Sequence, residues 1–427
     1  MTQARDAFAR ARLSRRAFLR GSARAAVALP SLAAILAACG KPGIGALSPR
    51  DRDILENPAR PENPQLLPLY KDPIPTDTPI ERNATLHVYN WDQYLWPKLF
   101  REFEDRYSKY GVTVELTTFN DISDGIAKMT SGQVAADVFF PDPSWISRLV
   151  IAGLLRPVNH DLLPNLSRYM WRAFQDPFYD REWRYTVPYT IYTTGIAYRR
   201  DHISDEKVRS YDNPYDILWD PEYQGKVTVY DDFRETLGMA LLRNGVNDVN
   251  TADGAAIAKA KDDILDLIDR TSAQLTINGI YVKMPQDEFW VGSSWSGDVG
   301  SAYVFNLPKG TPGSVLGFWY PEGGGGMIGN DNMVIPTSGQ NPRLAHEFIN
   351  FMLDKNISFE NFVNFNGYQT PLRSINPRSI VPSVLPENLS EAVVEPTYFD
   401  DGHFLLALTP AANSLWTAAW DEIKAGG

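Results

Sequence analysis

The residues with the most chemical capacity in this 427-residue sequence are carboxylates. Asp231, Asp232 and Glu235 lie within five positions of one another, which suits general acid–base catalysis or the binding of an ammonium group. The sequence lacks G-x-S-x-G, H-E-x-x-H and P-loop motifs, and no G-x-G-x-x-G stands between a strand and a helix. Cation binding is therefore favoured over catalysis, and a secreted hydrolase that uses these three acids stays open as the alternative.

Composition narrows the classes of function further. The single cysteine excludes a disulfide framework and a thiolate metal cluster, and five histidines leave little material for a histidine-rich metal site. The formal net charge is -11, from 52 acidic and 41 basic residues. This balance argues against a nucleic-acid binder, which needs a basic surface, and it suits a cationic partner.

The first forty residues predict export and a lipid anchor. Ser14-Arg15-Arg16-Ala17-Phe18-Leu19-Arg20 is typical of a twin-arginine signal, and the apolar run 25–38 is too short to span a bilayer. Leu36-Ala37-Ala38-Cys39-Gly40 has the form of a lipobox, so we expect a signal peptide over 1–38 and lipid attachment at Cys39. The protein would then lie in the periplasm or on the outer face of a bacterial membrane, and its mature net charge would be -17.

Two segments of different composition follow the predicted signal peptide. Nine prolines in residues 40–84 predict an extended tether over 39–84, because proline disrupts helix interiors and central strands. From Thr85 onward, strand and helix patterns alternate, which predicts an α/β protein with parallel sheets and two lobes. Strands are predicted at 85–91, 112–116, 137–140, 184–188, 194–199, 226–230, 301–305 and 331–335, and helices at 96–107, 123–132, 235–244, 253–270, 342–354 and 412–424.

A series of short motifs resembles the spermidine/putrescine-binding proteins of bacterial polyamine ABC transporters. The motifs keep the family's order over residues 85–427. They are Tyr89-Asn90-Trp91 with Tyr94, Asp137-Val138-Phe139-Phe140-Pro141, Trp219-Asp220-Pro221-Glu222-Tyr223-Gln224-Gly225-Lys226, Asp231-Asp232-Phe233-Arg234-Glu235, Trp295-Ser296-Gly297, Trp319-Tyr320-Pro321-Glu322-Gly323-Gly324, Asp331-Asn332-Met333-Val334-Ile335-Pro336, Gly367-Tyr368-Gln369-Thr370-Pro371 and Ile423-Lys424-Ala425-Gly426.

The resemblance implies a type II periplasmic binding protein, in which two α/β lobes joined by crossing hinge strands close on a ligand. Lobe 1 would comprise 85–196 plus 330–378, and lobe 2 would comprise 197–329 plus 379–427. The implied partners are a small cationic solute of the polyamine class and the permease subunits of an ABC transporter, with the membrane reached through the lipid. We expect a monomer with no cofactor, no metal and no catalytic residue. Another solute of the same superfamily (an opine, a cationic amino acid, iron or a sugar) stays open.

The resemblance also implies a ligand site in which carboxylates meet ammonium groups and aromatic rings cover methylenes. Trp91, Tyr94, Trp295 and Tyr368 would supply the rings. Asp232, Glu235 and Asp331 would supply carboxylates, although Glu235 also suits the first turn of the following helix, where an acid is favoured by the helix dipole.

The sequence departs from the family at several of these loops. Asp92 and Asp142 stand where the family has Thr or Ser, which adds up to two carboxylates. Ser144 and Gly329 stand where aromatic residues are common, and Leu406 stands in place of a glutamine. The departures predict a cleft that has lost two aromatic plates and one acceptor, with a cationic ligand bulkier or more highly charged than putrescine, or not a linear polyamine.

Overall fold

A computed structural model describes residues 47–166 and 170–426 of the chain. The predicted signal peptide and the predicted lipid attachment at Cys39 lie outside the described residues. Among the described helices, none has the length and apolar character needed to cross a bilayer.

Strands and helices alternate along the chain. The α-helices are α1 (Pro49–Glu56), α2 (Pro97–Arg106), α3 (Ile122–Thr130), α4 (Pro143–Ile151), α5 (Asp205–Arg209), α6 (Phe233–Arg243), α7 (Gly254–Thr271), α8 (Ser296–Ser301), α9 (Pro342–Met352), α10 (Lys355–Asn361), α11 (Tyr398–Asp401) and α12 (Pro410–Gly426). The strands are β1 (Thr85–Trp91), β2 (Thr113–Phe119), β3 (Val138–Phe139), β4 (Leu155–Arg156), β5 (Val187–Arg199), β6 (Val227–Val229), β7 (Gln274–Leu275), β8 (Val291–Trp295), β9 (Leu316–Trp319), β10 (Met327–Met333), β11 (Ile335–Pro336) and β12 (His403–Phe404).

The first core forms around a parallel sheet of order β2-β1-β3. Pro97 begins α2, where its missing N–H costs no hydrogen bond, and Leu99 and Phe103 bury the apolar stripe of this helix. Phe348 of α9 packs edge-on against Phe103, with ring centroids 5.3 Å apart. The predicted parallel sheet is confirmed for this part of the chain.

The second core forms around a larger mixed sheet of order β12-β10-β5-β8-β6-β7, with β9 also paired to β5. Three helices, α6, α7 and α12, supply much of this core through side chains such as Leu237, Leu267 and Trp416. Strands β6, β7 and β8 run parallel, while β5 is antiparallel to β8, β9 and β10. Helices thus cover a mixed α/β sheet, as the alternating pattern predicts.

Two long antiparallel strands, β5 and β10, join the cores. Along β5, Ile191 packs in the first core and Ile196 in the second. Along β10, Met327 packs in the second core and Met333 in the first. The predicted lobe boundaries at 196/197 and 329/330 fall inside these strands and remain predictions.

The third predicted boundary, at 378/379, does not follow the packing. Val394 packs in the first core, whereas Ile375 packs in a separate cluster with Ala197. Reciprocal hydrogen bonds between Gln369 and Val394 (Nε2 to O, 3.1 Å; N to Oε1, 2.6 Å) hold the later residue to the earlier one. Residues 362–394 therefore run along the junction and contact both sides.

The predicted strand at 301–305 is wrong. Helix α8 continues into a π-helical turn, Ala302–Asn306. Helix α8 lies so close to the chain at 367–368 that a Cβ on Gly300, near the end of the helix, would come within 2.6 Å of the Gly367 carbonyl. A short apolar run carries no periodicity that separates a strand from a buried helix, so the tertiary contact decides the conformation.

The predicted extended tether is wrong for its described part, which packs on the first core. Ser48 caps α1, and Ile54 and Leu55 of this helix join a cluster that includes Leu149 of α4. Leu67 is fully buried, and its carbonyl accepts a hydrogen bond from Arg184 (2.6 Å). Proline prevents regular structure but leaves carbonyls and apolar side chains free to dock, which the composition alone did not reveal.

Candidate functional site

One cavity lies where β5 and β10 cross between the two cores. It encloses about 1140 Å³ of space between the lining atoms, including its mouth. All nine predicted ligand residues line it: Trp91, Asp92, Tyr94, Asp142, Asp232, Glu235, Trp295, Asp331 and Tyr368. Both cores therefore contribute to one cavity, as the resemblance implied, and the binding role of each residue remains a proposal.

The loop after β1 supplies two aromatic walls and one exposed acid. The indole N–H of Trp91 donates to the Phe140 carbonyl (3.2 Å), which fixes the ring at the end of the strand. Tyr94 is buried and its hydroxyl donates to Asp331 (2.6 Å). Asp92 is exposed, so it lies at the mouth of the cavity rather than in its interior.

Asp331 lies on β10 opposite Thr190 of β5 and is 6% exposed. Burial raises the pKa of its carboxyl to about 7, against the stabilising hydrogen bond from Tyr94. Among the described residues, no Lys or Arg lies within ion-pair distance of the Asp331 carboxylate. Asp331 is therefore a buried acid without a counter-ion in the described part of the chain.

The start of α6 supplies two more carboxylates. Asp232 caps the helix by accepting from the N–H groups of Arg234 (2.8 Å) and Glu235 (3.0 Å). Glu235 stands in the first turn, as its alternative role predicted, yet it is also buried and accepts from the Thr194 hydroxyl (3.0 Å). Burial, followed by the charge of Asp232, raises the pKa of Glu235 to about 8. Burial likewise raises the pKa of Asp232 to about 6.

Asp298 is a fourth carboxylate, which the sequence prediction missed. It lies in the first turn of α8, three residues after Trp295, and is 3% exposed. The hydroxyls of Tyr230 and Tyr368 each donate to it at 2.7 Å, and burial raises its pKa to about 7. The sequence feature that could have indicated Asp298 as a site residue is its position directly after the Trp295-Ser296-Gly297 motif.

The second wall of the cavity is a stack of rings. Trp295 lies on Tyr230 with centroids 3.9 Å apart and planes at 20°. Tyr368 meets the edge of Tyr94 at 4.8 Å. The buried hydroxyls of Tyr230 and Tyr368 are satisfied by Asp298, so the aromatic wall and the carboxylate position each other.

The prediction that Gly329 removes an aromatic plate is corrected by the neighbouring strand. Tyr192 of β5 pairs with Gly329 of β10 and lines the cavity. A Cβ on Gly329 would lie 2.5 Å from the Tyr192 ring, so the glycine makes room for it. Trp145, next to Ser144, also lines the cavity, whereas Leu406 does not.

Asp142 and two arginines also line the cavity. Asp142 caps α4 by accepting from the Ser144 N–H (2.8 Å), and burial raises its pKa. Arg148 of α4 and Arg234 of α6 line the same cavity. By contrast, Asp231 does not line the cavity and is held by Lys424 (2.6 Å), so the three acids of the hydrolase alternative do not converge there.

Sequence comparison finds that the profile of the family described as bacterial extracellular solute-binding protein matches residues 98–383. The chain is 29% identical over 290 residues to the spermidine/putrescine-binding periplasmic protein of Escherichia coli K12, covering 68% of this chain and 78% of that protein. It is 27% identical over 355 residues to the putrescine/cadaverine-binding protein of Pseudomonas aeruginosa, covering 79% and 93%.

Structural comparison finds the same two-lobed architecture. The Tp0655 (TpPotD) lipoprotein of Treponema pallidum superposes with a TM-score of 0.64 at 22% identity, over 80% of this chain and 99% of that chain. At this identity the likeness shows the fold alone, which is that of a periplasmic binding protein.

Proposed function

We propose a ligand class and a transport role for this chain, which belongs to the family of bacterial extracellular solute-binding proteins. Its function is to bind a solute. The proposed solute is an amine of the polyamine class, captured between the lobes and delivered to the permease of an ABC transporter. The curated relatives named for spermidine, putrescine and cadaverine support this ligand class.

The observation that carries the proposal is a set of three buried acids and one half-buried acid, Asp232, in one aromatic cavity. Asp232, Glu235, Asp298 and Asp331 line it, and none forms an ion pair with a described Lys, Arg or His residue. A buried carboxylate is costly without a counter-charge, so it either keeps a proton or meets a cation. Ammonium groups supply the missing charge and hydrogen-bond donors.

The aromatic walls suit the rest of such a ligand. Trp91, Trp295 and Tyr368 present ring faces or edges that methylenes can contact. A cation beside such a ring gains roughly 0.5–2 kcal/mol. A neutral sugar would use the rings but would leave the four acids without a counter-charge, which favours an amine over that alternative.

The calorimetric test uses purified protein and a panel of putrescine, spermidine, spermine, lysine, arginine and glucose. We expect saturable binding of one or more of the cationic ligands and none of glucose. Binding confined to the neutral sugar would overturn the proposal.

We also propose that residues 1–38 direct export through the twin-arginine route and that Cys39 carries lipid. The support is the order of the basic segment, paired arginines, apolar run and lipobox. Metabolic labelling with palmitate in a bacterial host tests this: the wild-type protein should incorporate label, whereas Cys39→Ser should not. Equal labelling of both would contradict the anchor.

A further inference from the structure

Three arginines from separate segments converge on three consecutive carbonyls at the junction of the cores. Arg60 comes from the proline-rich N-terminal segment, Arg148 from α4 and Arg234 from α6. The carbonyls belong to residues 406–408, between β12 and α12. The hydrogen bonds are Arg234 Nη1 to Leu406 O (2.7 Å), Arg60 Nη1 to Ala407 O (3.1 Å) and Arg148 Nη2 to Leu408 O (3.1 Å).

These guanidinium groups form no close ion pair within the described part of the chain. Among the described residues, none of the three has a carboxylate within 4.0 Å. Burial lowers the pKa of Arg234 to about 10, and the charges of Arg148 and Arg60 add to that lowering. Asp142 acts in the opposite direction on both Arg148 and Arg234, but its carboxylate already caps α4. Asp232 also raises the pKa of Arg234, and Asp248 and Glu62 raise that of Arg60, whereas Asp142 is the carboxylate that acts on Arg148. Arg148 is therefore the least neutralised of the three guanidinium groups.

Arg234 also has an unused donor. The residue is 8% exposed, and its Nε has no hydrogen-bond partner within the described chain. A buried donor without an acceptor costs free energy. The Nη groups of Arg234 already donate to the Leu406 and Val249 carbonyls and to Asn250 Oδ1, so Nε is the donor that a ligand carboxylate would engage. Arg148, Arg234 and Asn413 line the same cavity as the four unpaired acids. The cavity thus holds acids together with arginines, and Asp142 and Asp232 both act electrostatically on Arg234.

We propose that the preferred ligand carries a carboxylate in addition to its amine, and that Arg148 and Arg234 bind this carboxylate. This inference rests on the proposed function, because the amine is held by the acids of the same cavity. A linear polyamine would bring a further positive charge, or bare methylenes, to the arginines. A singly charged anion fits better than a phosphate dianion, since Asp142 stands beside the arginines and would repel the second charge.

Decarboxylation pairs give a direct test. Ornithine and putrescine, lysine and cadaverine, and arginine and agmatine share a chain and a terminal cation but differ by one carboxylate. Calorimetry on the wild-type protein should give at least one pair in which the carboxylated member binds about tenfold more tightly or better. Arg148→Gln should reduce that preference to about threefold or less. Arg101→Gln, an exposed arginine on α2 outside the cavity, should preserve it.

Two results would overturn the inference while leaving the proposed function intact. One is equal or tighter binding of the decarboxylated member of every pair. The other is an equal loss for both members in Arg148→Gln, which would mean that Arg148 only ties α4 to the Leu408 carbonyl. Loss of diamine binding in Asp331→Asn reports on the proposed function separately. Failure of all six compounds to bind would also overturn the inference, and it would overturn the proposed function only if spermidine and spermine failed to bind as well.

Discussion

Asp232, Glu235, Asp298 and Asp331 show how burial and neutral hydrogen-bond donors alter the chemistry of a carboxylate. Each is placed by backbone or hydroxyl donors that hold its geometry but supply no full positive charge. Burial then raises the pKa of all four. The binding of an ammonium group would favour the ionised forms and release protons.

The pH dependence of affinity follows from these shifts. The pKa values lie at about 8 for Glu235, about 7 for Asp298 and Asp331, and about 6 for Asp232. An amine stays protonated until roughly pH 10, so lowering the pH through these values protonates the acids and weakens binding. Calorimetry with spermidine should show an affinity gain of about tenfold or more from pH 5.5 to pH 8.5. In Glu235→Gln the rise above pH 7 should flatten; a pH-independent wild-type affinity would contradict this account.

The charge of Asp331 is tested by Asp331→Asn. The amide can still accept from Tyr94, so the substitution removes charge and leaves the hydrogen bond. We expect weaker spermidine binding by about 2–5 kcal/mol, since a buried charge partner is lost. Asp231→Asn is the matched control, because Asp231 lies outside the cavity and is held by Lys424. Equal affinity of the Asp331→Asn and wild-type proteins would remove Asp331 from the site.

For individual residues, the family resemblance predicted which motif residues line the cavity. Residue type alone did not reveal the lining residues that lie outside those motifs. Asp331 and Trp295 were placed in matched motifs, and both line the cavity. Asp298 and Tyr192 were missed because their roles depend on neighbours distant in sequence. Asp298 needs Tyr368, 70 residues away, and Tyr192 faces Gly329 across two paired strands.

At the scale of secondary structure, strand pairing positions the side chains of the site. The pairing of β5 with β10 decides which strand supplies the aromatic ring over the cavity. The sequence showed a missing aromatic at Gly329, but only the register shows that Tyr192 fills that space. Register depends on turns and packing that single-strand patterns do not specify.

Moving the aromatic ring from Tyr192 of β5 to position 329 of β10 tests whether the two positions share one space. Gly329→Trp alone should clash with Tyr192, lower thermal stability and weaken spermidine binding, because the added Cβ would already meet the ring at 2.5 Å. Combining it with Tyr192→Ala should recover much of both losses. Additive losses in the double variant, measured by thermal unfolding and calorimetry, would show that the two positions do not share one space.

The docked N-terminal segment makes a second prediction about elements. Leu67 is fully buried, so Leu67→Ala should destabilise the protein by about 2–5 kcal/mol in denaturant unfolding. Leu69→Ala is the control, since Leu69 is 46% exposed and its removal should change stability by less than about 0.5 kcal/mol. Equal, small effects of the two substitutions would restore the tether interpretation.

The whole molecule is organised by the passage of β5 and β10 between two cores. The alternating strand and helix patterns predicted this α/β class, and the family resemblance predicted the two crossing strands. The patterns did not predict the path of 362–394 along the junction, because that path depends on pairings such as Gln369 with Val394. An open-to-closed transition would change the cavity by moving the cores about these connections.

Net charge at this scale supports capture but does not identify the ligand. The chain is acidic as a whole, which attracts cations over long distances at low ionic strength. The cavity, however, contains acids and arginines that form no close ion pair among the described residues. The local arrangement, rather than the total charge, therefore determines which amine is held.

Native mass spectrometry of the exported protein, purified without denaturation, tests the central claim most directly because it reads the retained ligand by mass. The account predicts a bound small amine that is displaced by excess spermidine or by the tightest-binding member of the carboxylated series. The same preparation of Asp331→Asn should retain less of it. Retention of a neutral sugar or a metal ion, unaffected by Asp331→Asn, would contradict the account.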